Sequence, residues 1–460
     1  MTETVKLVSP VDGRVYAERQ VASGAEIEAA VARSKAGRRA WGEVTIKERA
    51  KFLEHFLDYL LSKNDEIVPE LAWQMGRPVR FGGERKPLEE RARHMIAIAE
   101  ASLASVEKTD KPGFRRWLAR EPLGTVMVIA PWNYPFLTAN NTITPALMAG
   151  NSVILKHASQ TLLVGERFAE AAKAAGLPDG LFQNLVLSHA DTEKLIGSGE
   201  IDHINFTGSV EGGRRVERAA AGTFATLGLE LGGKDPAYVR PDAKLDFSIE
   251  NLVDGSFYNS GQCCCGIERI YVHGDVYDQF VEGFVESARG WKLGNPFDAE
   301  TMVGPMAHGR FADLVREHTS EALRKGATAH LNTKHDLDEA SSPYVAPEVL
   351  TNVNHQMAVM REETFGPVVG IMKVADDEEA ITLMNDSPYG LTASIWTADL
   401  DAAAKIGARV ETGTVFANRC DYVDPGLVWT GVKDTGKGAT LSEVGYANLT
   451  QPKSFHLREI

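Results

Sequence analysis

Three adjacent cysteines, Cys263, Cys264 and Cys265, follow Gly261 and Gln262 and are candidate nucleophiles. A disulfide between neighbouring cysteines would need a strained ring far from the preferred geometry. A zinc site would need a Cys-x2-Cys spacing and a second pair of ligands, and the sequence has neither. The triplet is therefore either a small buried apolar cluster or a reactive site in which one thiolate is the nucleophile.

A single carboxylate, Glu230, lies 34 residues before Cys264, in the segment LELGGK at positions 229–234. A leucine flanks it on each side and two glycines follow. Burial in an apolar segment disfavours the charged form of a carboxyl group and raises its pKa. We therefore predict that Glu230 can take up a proton near neutral pH, as a general base does.

The elements that must position these residues follow an α/β pattern from residue 124 onward. Segments 125–130, 152–156 and 203–207 predict strands, and an alanine-rich helix is predicted at about 163–175. Alternating strands and helices indicate right-handed crossovers and a parallel sheet. Before them, Ser23 is predicted to cap a helix over about 25–40, and Pro87 to open another with Leu88, Ala92 and Met95 on its inner face.

Six short motifs, taken in their order along the chain, resemble those of the aldehyde dehydrogenase superfamily. They are PWNYP at 131–135, FTGS at 206–209, ELGGK at 230–234, GQCC at 261–264, EETFGP at 362–367 and GVKDTG at 431–436. One such motif alone would be a weak signal, but six in register are specific. The segments before and after them are also similar, so the resemblance covers nearly the whole chain.

The resemblance implies an α/β fold in three parts, and a chain of 460 residues is long enough for two or three domains. A Rossmann-like parallel-sheet domain that binds NAD(P) is expected from residues 1–110 and 123–229. A second α/β domain, the catalytic one, is expected from 230–446. Residues 111–122 and 447–460 are expected to form a small β hairpin that mediates oligomerisation, with the C-terminal stretch beside the segment 114–121.

The resemblance also implies a reaction, the oxidation of an aldehyde by NAD(P)+. Cys264 corresponds to the nucleophile, which adds to the carbonyl to form a thiohemiacetal and, after hydride transfer, a thioester. Asn133, together with the Cys264 amide, corresponds to the donors that stabilise the oxyanion. Glu230 corresponds to the base that activates water, and relatives that pass the acyl group to coenzyme A typically lack it. The expected product is a free carboxylic acid; a coenzyme A-acylating enzyme and a non-catalytic relative are the alternatives.

The expected cofactor is NAD or NADP. Lys156 corresponds to a residue that holds the adenosine ribose, and Ser159 stands where relatives strict for NAD carry a glutamate, so NADP is permitted. His157 could donate to a 2′-phosphate. Gly208 and Ser209 correspond to a pair that receives the cofactor phosphates in relatives. The expected cofactor-binding residues are Ala130, Trp132, Lys156, Ser159, Gly208, Ser209, Gly213, Leu231, Glu363 and Phe365.

The family's substrate tunnel corresponds to a largely apolar set of residues. These are Tyr134, Leu137, Asn141, Tyr258, Cys263, Cys265 and Trp429. Three of them are aromatic, which favours medium-sized aliphatic or aromatic aldehydes. An aminoaldehyde, held by cation–π attraction, is the second choice. No arginine is found among these positions, which disfavours an aldehyde with a distal carboxylate.

Two departures from the family pattern concern the removal of the catalytic proton. Many relatives carry a lysine at the position of Thr142 and a glutamate at the position of Thr440. That pair lies near the exit route of the proton in those relatives. The loss of both charges predicts a different path for water or protons.

Composition limits the partners of this protein. The net charge of −14 argues against nucleic acid and acidic membranes, which need basic patches. The N-terminus lacks the pattern of a signal peptide, and four cysteines, three of them contiguous, indicate a reducing compartment. We therefore expect a cytoplasmic enzyme for a small-molecule aldehyde. It is expected to bind no metal, nucleic acid or membrane and to form a homodimer or homotetramer.

Overall fold

The computed structural model describes residues 3–460, so Met1 and Thr2, at the start of the predicted range 1–110, lie outside the described residues. The strands are β1 Thr4–Val8, β2 Val15–Gln20, β3 Val106–Glu107, β4 Phe114–Pro122, β5 Thr125–Ile129, β6 Ser152–Lys156, β7 Phe182–Asn184, β8 His203–Thr207, β9 Thr226–Glu230, β10 Asp235–Val239, β11 Ile267–His273, β12 Thr328–Ala329, β13 Glu348–Thr351, β14 Val368–Val374, β15 Thr392–Trp396, β16 Thr414–Ala417, β17 Gly436–Lys437 and β18 Thr450–Arg458. The helices are α1 Gly24–Gly42, α2 Ile46–Ser62, α3 Asn64–Met75, α4 Arg85–Ser102, α5 Pro135–Ala149, α6 Leu162–Ala174, α7 His189–Gly197, α8 Val210–Ala220, α9 Leu245–Phe257, α10 Tyr277–Ala288, α11 Gly309–Arg324, α12 Ala358–Arg361, α13 Asp377–Asn385, α14 Leu400–Gly407 and α15 Ser442–Asn448.

The N-terminal helices begin where the sequence predicts caps. Ser23 caps α1 through a capping box in which its side chain accepts from the Glu26 amide and the Glu26 carboxylate accepts in return. Helix α4 begins at Arg85, two residues before the predicted start, and Pro87 lies in its first turn, where a missing amide proton costs nothing. The inner face predicted for α4 is buried as expected.

The first sheet has the strand order β17-β9-β8-β5-β6-β7. Strands β5 to β9 pair in parallel, and β17 adds to β9 in antiparallel register. Strand β5 is central, with β6 on one side and β8 on the other, so the chain changes direction across the sheet there. Ligands of open α/β sheets bind beyond the carboxyl ends of the strands at such a switch point. Glu230 is the last residue of β9, at this edge.

The second sheet has the order β12-β13-β14-β11-β10-β15-β16 and is parallel apart from β12. Strand β10 starts five residues after Glu230, and β11 starts three residues after Cys264. The amino ends of these two strands therefore carry the segments that follow Glu230 and Cys264. The reactive residues lie where the carboxyl edge of one sheet meets the amino edge of the other.

A third sheet joins β18, β4 and β3. Strands β4 and β18 pair in antiparallel register from Phe114–Arg458 to Pro122–Thr450, which confirms that the C-terminal stretch lies beside the segment 114–121. The rings of Trp117 and Phe455 stack across this pair, with centroids 4.4 Å apart. A role for this sheet in oligomerisation stays a prediction.

The domain boundaries also stay predictions, and two late segments are relevant to them. Strand β17 extends the first sheet, and α15 packs against α4 and α5. Strand β17 falls within the predicted range 230–446, and α15 extends two residues beyond it. Both contact elements that belong to the predicted NAD(P)-binding domain. Across residues 3–460, no helix has the length and apolar character needed to span a membrane.

Candidate active site

A cleft of about 560 Å³ lies between the first two sheets, and all three predicted catalytic residues line it. Cys264, Glu230 and Asn133 come from three different parts of the chain. Cys264 precedes β11, Glu230 ends β9, and Asn133 lies between β5 and α5. The structure therefore brings the thiol, the carboxylate and the amide to the wall of one cavity.

A tight turn presents Cys264 to the cleft. The turn follows α9 and includes Asn259 and Ser260, both in the left-handed region with φ of 54° and 58°. Gly261 follows with φ of 69°, and a Cβ there would lie 2.3 Å from the Gly366 carbonyl oxygen, so only glycine fits. Cys264 itself is partly exposed.

The three cysteines have different surroundings. Cys263 and Cys265 are buried, with their sulfur atoms 3.5 Å apart, whereas Cys264 lines the cleft. The hydrogen bond to the Cys263 thiol, together with burial, raises the pKa of Cys264. The Cys264 amide N–H donates to no acceptor within the described part of the chain, so it is free to bind a ligand oxygen.

The Asn133 side chain is buried and points toward the cysteine turn. Its Nδ2 donates to the Gln262 carbonyl oxygen at 3.2 Å, which leaves the second N–H of the amide group for another acceptor. The Asn133 carbonyl oxygen accepts from Nη2 of Arg77 at 2.5 Å and from Nδ2 of Asn259 at 3.2 Å. Two donors from distant segments therefore fix the backbone that carries this amide.

A buried ion pair supports Asn133 from behind. Arg77 and Glu84 are 2% and 7% exposed, and Nη1 of Arg77 lies 2.6 Å from Oε1 of Glu84. The other oxygen of Glu84 accepts from the amides of Phe136 and Leu137 at the start of α5. A carboxylate at a helix N-terminus is stabilised by the free amides and the dipole. The pair thus connects the loop of Asn133 to α5. The sequence analysis did not predict it, because the two charges are recognised only by their burial.

Glu230 is held by hydroxyl groups and forms no ion pair with the residues described. Its Oε1 accepts from Oγ1 of Thr440 at 2.6 Å, and its Oε2 accepts from Oγ1 of Thr207 at 3.2 Å. Burial raises the pKa of Glu230, and the two hydroxyl bonds oppose this. The direction agrees with the prediction from its apolar segment. One of the two unusual threonines is thus a direct partner of this carboxylate.

A second cavity, of about 190 Å³, is lined by Thr440, Thr142, Asn141, His203 and other polar side chains. Oγ1 of Thr142 is buried and bonds to no described protein atom. A cavity of this size that several polar side chains border can hold ordered water. Thr440 lines this cavity and also binds Glu230, so it connects the carboxylate to the cavity.

Most of the predicted cofactor residues line the wall of the large cleft, but Gly213 and Ser159 do not. Gly213 lies under Leu231, where a Cβ would approach the leucine side chain to 2.6 Å. Helix α8 starts at this wall with Ser209 as its N-cap, so its free amides face the cleft. The predicted residues on the wall are Ala130, Trp132, Lys156, Gly208, Ser209, Leu231, Glu363 and Phe365.

The charged groups of this wall suit a dinucleotide. Burial, and then the charge of Glu268, raise the pKa of Glu363 to about 8. Oε1 of Glu363 accepts from the Gly233 amide at 2.9 Å, and Oε2 accepts from no described residue. Lys156 forms no ion pair among residues 3–460, so its amine is available to a ribose or phosphate oxygen. These free groups, with the α8 amides, fit the ribose hydroxyls and phosphates of NAD or NADP.

The suggestion that His157 donates to a phosphate is wrong. His157 is buried, with Nε2 3.2 Å from the Pro135 carbonyl oxygen and Nδ1 3.1 Å from the Thr161 hydroxyl. Burial lowers its pKa to about 4, so the ring is neutral. Ser159 lines a small separate cavity beside it. His157 and Ser159 lie close to Lys156 in the sequence, but the sequence did not show the directions of their side chains.

The predicted substrate residues gather around the cysteine turn. Leu137, Cys263, Cys265 and Trp429 belong to one buried apolar cluster, and Tyr134 packs against it. Tyr258 packs instead on Phe81, with ring centroids 4.6 Å apart. Asn141, on α5, is buried. Trp429 also pairs with Thr440 through two backbone hydrogen bonds of 2.9 Å, which joins this wall to the partner of Glu230.

An arginine contacts one of the predicted pocket residues, although none occupies a predicted pocket position. Arg91, on α4, donates from Nη1 to Oδ1 of Asn141 at 3.3 Å. The signal for it was present in the sequence: Arg91 lies between Leu88 and Met95, three and four residues away, on the apolar stripe of the helix. A charged residue at such an apolar position indicates that its side chain has a specific partner.

Comparison with known proteins places the chain in a family. The model described as "Aldehyde dehydrogenase family" matches residues 1–455. The chain belongs to the aldehyde dehydrogenase family. An aldehyde dehydrogenase of Paenarthrobacter nicotinovorans is 33% identical over 458 residues, which cover 98% of this chain and 99% of the relative. An NADP(+) succinate-semialdehyde dehydrogenase of Mycobacterium avium is 33% identical over 455 residues, covering 98% and 96%.

Solved structures of the aldehyde dehydrogenase family agree with this assignment. An NADP-dependent glyceraldehyde-3-phosphate dehydrogenase from Bacillus halodurans, complexed with NADP, has a TM-score of 0.94 at 31% identity and covers 100% of this chain and 96% of its own. The predicted family, the α/β fold class and the class of enzyme are therefore confirmed. The protein is an NAD(P)-dependent aldehyde dehydrogenase.

Proposed function

We propose that this aldehyde dehydrogenase converts an aldehyde to the free carboxylic acid through covalent intermediates on Cys264. The observation that carries the proposal is that Cys264, Asn133 and Glu230 line the same cleft as the cofactor wall. A nucleophile, an oxyanion donor and a base within one cavity are what acyl transfer to water requires.

The first step adds the Cys264 sulfur to the aldehyde carbon. The raised pKa of Cys264 favours the thiol form, so the reactive thiolate fraction increases as the pH rises. The carbonyl oxygen becomes an oxyanion, which accepts hydrogen bonds from Nδ2 of Asn133 and from the free Cys264 amide. Donors that are already in place stabilise this charge without reorganising.

The second step forms a thioester as the oxyanion returns to a carbonyl and the former aldehyde hydrogen leaves as hydride. NAD or NADP, when bound, supplies the acceptor for that hydride. Glu363 and Lys156 would hold the ribose groups, and the amides at the start of α8 would hold the phosphates. The ring of Trp132 stacks on Phe311 with centroids 5.1 Å apart and lies edge-on to Phe365 at 5.6 Å, which packs the cleft wall over the reaction centre.

The third step hydrolyses the thioester with Glu230 as the base. Its carboxylate takes a proton from water, the hydroxide adds to the thioester carbon, and the C–S bond breaks to release the acid and the Cys264 thiolate. The raised pKa of Glu230 gives it the basicity for this task near neutral pH. A base in this position supports hydrolysis over transfer to coenzyme A.

The substrate is proposed to be a medium-sized aldehyde that enters between Tyr134, Tyr258 and Trp429. The name of the Mycobacterium avium relative gives succinate semialdehyde, a four-carbon aldehyde, as its substrate. A substrate of that size fits the proposal. A homodimer or homotetramer formed through β4 and β18, located in the cytoplasm, is proposed as the working form.

The test measures NAD(P)H absorbance with a panel of aldehydes, with either cofactor and with or without coenzyme A. The wild-type protein is expected to turn over without coenzyme A, and Cys264→Ala is expected to abolish turnover. Cys420→Ala is the matched control, because Cys420 is a buried cysteine that does not line the cleft. Turnover that requires coenzyme A would contradict the hydrolytic step.

A labelling experiment tests the nucleophile independently. Iodoacetamide is expected to modify Cys264 first, because it is the partly exposed cysteine, whereas the other three are buried. Cofactor or aldehyde should protect it. Equal labelling of Cys264 and Cys420, or labelling that neither ligand reduces, would argue for the non-catalytic relative. Light scattering after gel filtration measures the assembly.

A further inference from the structure

The apolar face of α4 carries one arginine, Arg91, which contacts a neighbouring helix. Arg91 is flanked on this face by Leu88, Ala92 and Met95, which are buried in the core around α2, α5 and the cysteine turn. Its Nη1 donates to Oδ1 of Asn141 at 3.3 Å, and part of the residue stays exposed. Arg91 therefore contacts, from a second helix, a residue that the sequence predicts to line the substrate tunnel.

The positive charge of Arg91 has no protein counter-ion. Within residues 3–460 no carboxylate lies within 4.0 Å of its guanidinium, and its buried Nε bonds to no acceptor. Other arginines nearby are paired: Arg77 contacts Glu84, and Arg93 contacts three carboxylates on the outer face. An unpaired buried cation is destabilising, so such a group is expected where a ligand supplies the anion.

The groups around Arg91 include the residues proposed to react with the substrate. Burial lowers the pKa of Arg91, and the nearby Cys265, Glu84, Cys264 and Glu230 oppose that shift, so the guanidinium lies within electrostatic reach of the reacting sulfur. An arginine stays charged in proteins despite such a shift. Because Asn141 accepts from Arg91 through Oδ1, its Nδ2 is left as a second donor beside the guanidinium.

Three carboxylates near this wall do not cancel the charge. Glu84 is already paired with Arg77. Burial raises the pKa of Asp421, which lies near Cys263, well above its usual range, and this favours the neutral form of the carboxyl group. Glu230 is bound to two threonine hydroxyls and makes no ion pair with a described residue. The fixed charge at the substrate end is therefore positive.

We infer that Arg91, with Asn141, binds a distal carboxylate of the substrate, so that the preferred substrates are aldehydes that carry a carboxylate at the far end. This inference rests on the proposed function and names its substrate class. A carboxylate matches the planar fork of a single guanidinium with an amide donor beside it. A phosphate carries more charge and would be expected to meet more than one cation. Neutral and cationic aldehydes leave Arg91 unpaired.

The test compares two substrates of equal length, succinate semialdehyde and butanal, in the wild type and in Arg91→Gln. The wild type is expected to favour succinate semialdehyde. Arg91→Gln is expected to lower kcat/KM for it by about 100-fold, mainly through KM, because one partner of a buried charge pair is lost. For butanal the change is expected to stay within about 3-fold, the size of effects away from the contact. Arg91→Lys should recover part of the loss.

Arg93→Gln is the matched control. It removes the same charge from the same helix, but its side chain faces solvent, so both substrates should be turned over as in the wild type. Thermal melting separates ligand binding from a structural role. Arg91→Gln should melt no lower than the wild type, because it removes an unpaired buried charge. A clear drop in melting temperature would indicate that Arg91 serves the fold and would overturn the inference.

Wild-type inhibition provides a measurement that does not depend on a variant. Succinate is expected to compete with the aldehyde, and the neutral succinamide is expected not to. Equal losses for both aldehydes in Arg91→Gln would make Arg91 a positioning residue for Glu230 or Cys264 and overturn the inference. A preference for glyceraldehyde 3-phosphate or for an aminoaldehyde would also overturn it. Turnover of butanal with no preference for the acid contradicts only this inference, whereas no turnover of any aldehyde contradicts the proposed function.

Discussion

The two polar groups beside Cys264 are held in opposite ways. On the oxyanion side, Asn133 is fixed by Arg77 and Asn259, and Arg77 is in turn paired with the buried Glu84. On the base side, Glu230 is bound only to hydroxyl groups and borders a polar cavity through Thr440. Asn133 thus belongs to a closed network of fixed donors, whereas Glu230 is connected to a cavity through which protons or water can exchange.

The difference agrees with the role that is proposed for each group. Donors to an oxyanion work best when they are already oriented, since any reorganisation during the reaction costs free energy. A base must take up a proton and release it, and a hydroxyl group can both donate and accept. The threonines at 440 and 142, which replace the charges of many relatives, fit a route that passes through hydroxyl groups and water.

Glu230→Gln is expected to give the largest effect on the base side. Steady-state turnover should fall by about 10²–10⁴-fold, the usual worth of a general base. The first turnover of NAD(P)H should remain as a burst, because it precedes hydrolysis. Rapid-mixing absorbance measures both phases, and the loss of the burst together with turnover would assign Glu230 to the first step as well.

Arg77→Met tests the fixed side. It leaves Glu84 as a buried charge without a partner, which is expected to lower the free energy of unfolding by about 3–5 kcal/mol. Urea unfolding followed by fluorescence measures this change. The double variant Arg77→Met/Glu84→Gln should recover a large part of the stability. No recovery would show that contacts of Arg77 other than the ion pair dominate.

Thr440→Val should move the pH dependence of hydrolysis. The hydrogen bond from Thr440 lowers the pKa of Glu230, so its loss should raise that pKa. A base acts when deprotonated, so activity is lost as the pH falls through its pKa, and the loss should begin at a higher pH in this variant. Thr207→Val removes the longer bond and should cause a smaller shift; an unchanged profile in Thr440→Val would contradict the role of this hydroxyl.

Thr142→Val is expected to give the smallest effect and tests the open side directly. Its hydroxyl group bonds to no described protein atom and faces a polar cavity. If water binds there, the isosteric change should lower the free energy of unfolding by about 1 kcal/mol, the net worth of one hydrogen bond. If the free energy of unfolding of the variant equals or exceeds that of the wild type, the Thr142 hydroxyl binds no water. The cavity would then not belong to a proton route.

The sequence determined the reactive groups and the strands that carry them. Apolar runs predicted β5 and β6 at the observed positions, because a strand buried on both faces must be apolar along its whole length. The six motifs identified Cys264, Glu230 and Asn133 as a set. The raised pKa of Glu230 also followed from its neighbours in the chain, since burial is the largest cause of the shift.

Only the tertiary structure decided which distant side chains meet those groups. Arg91 meets Asn141 across 50 residues of sequence, and Thr440 meets Glu230 across 210. The sequence also did not show that the His157 side chain is buried in the protein interior, although Lys156, the residue before it, lines the cleft. Local sequence patterns report propensity and burial, whereas the pairing of charges and hydroxyl groups depends on how helices and sheets pack. The sequence motifs therefore predicted the class of reaction. The fold decided which charged and polar side chains surround the reactive groups.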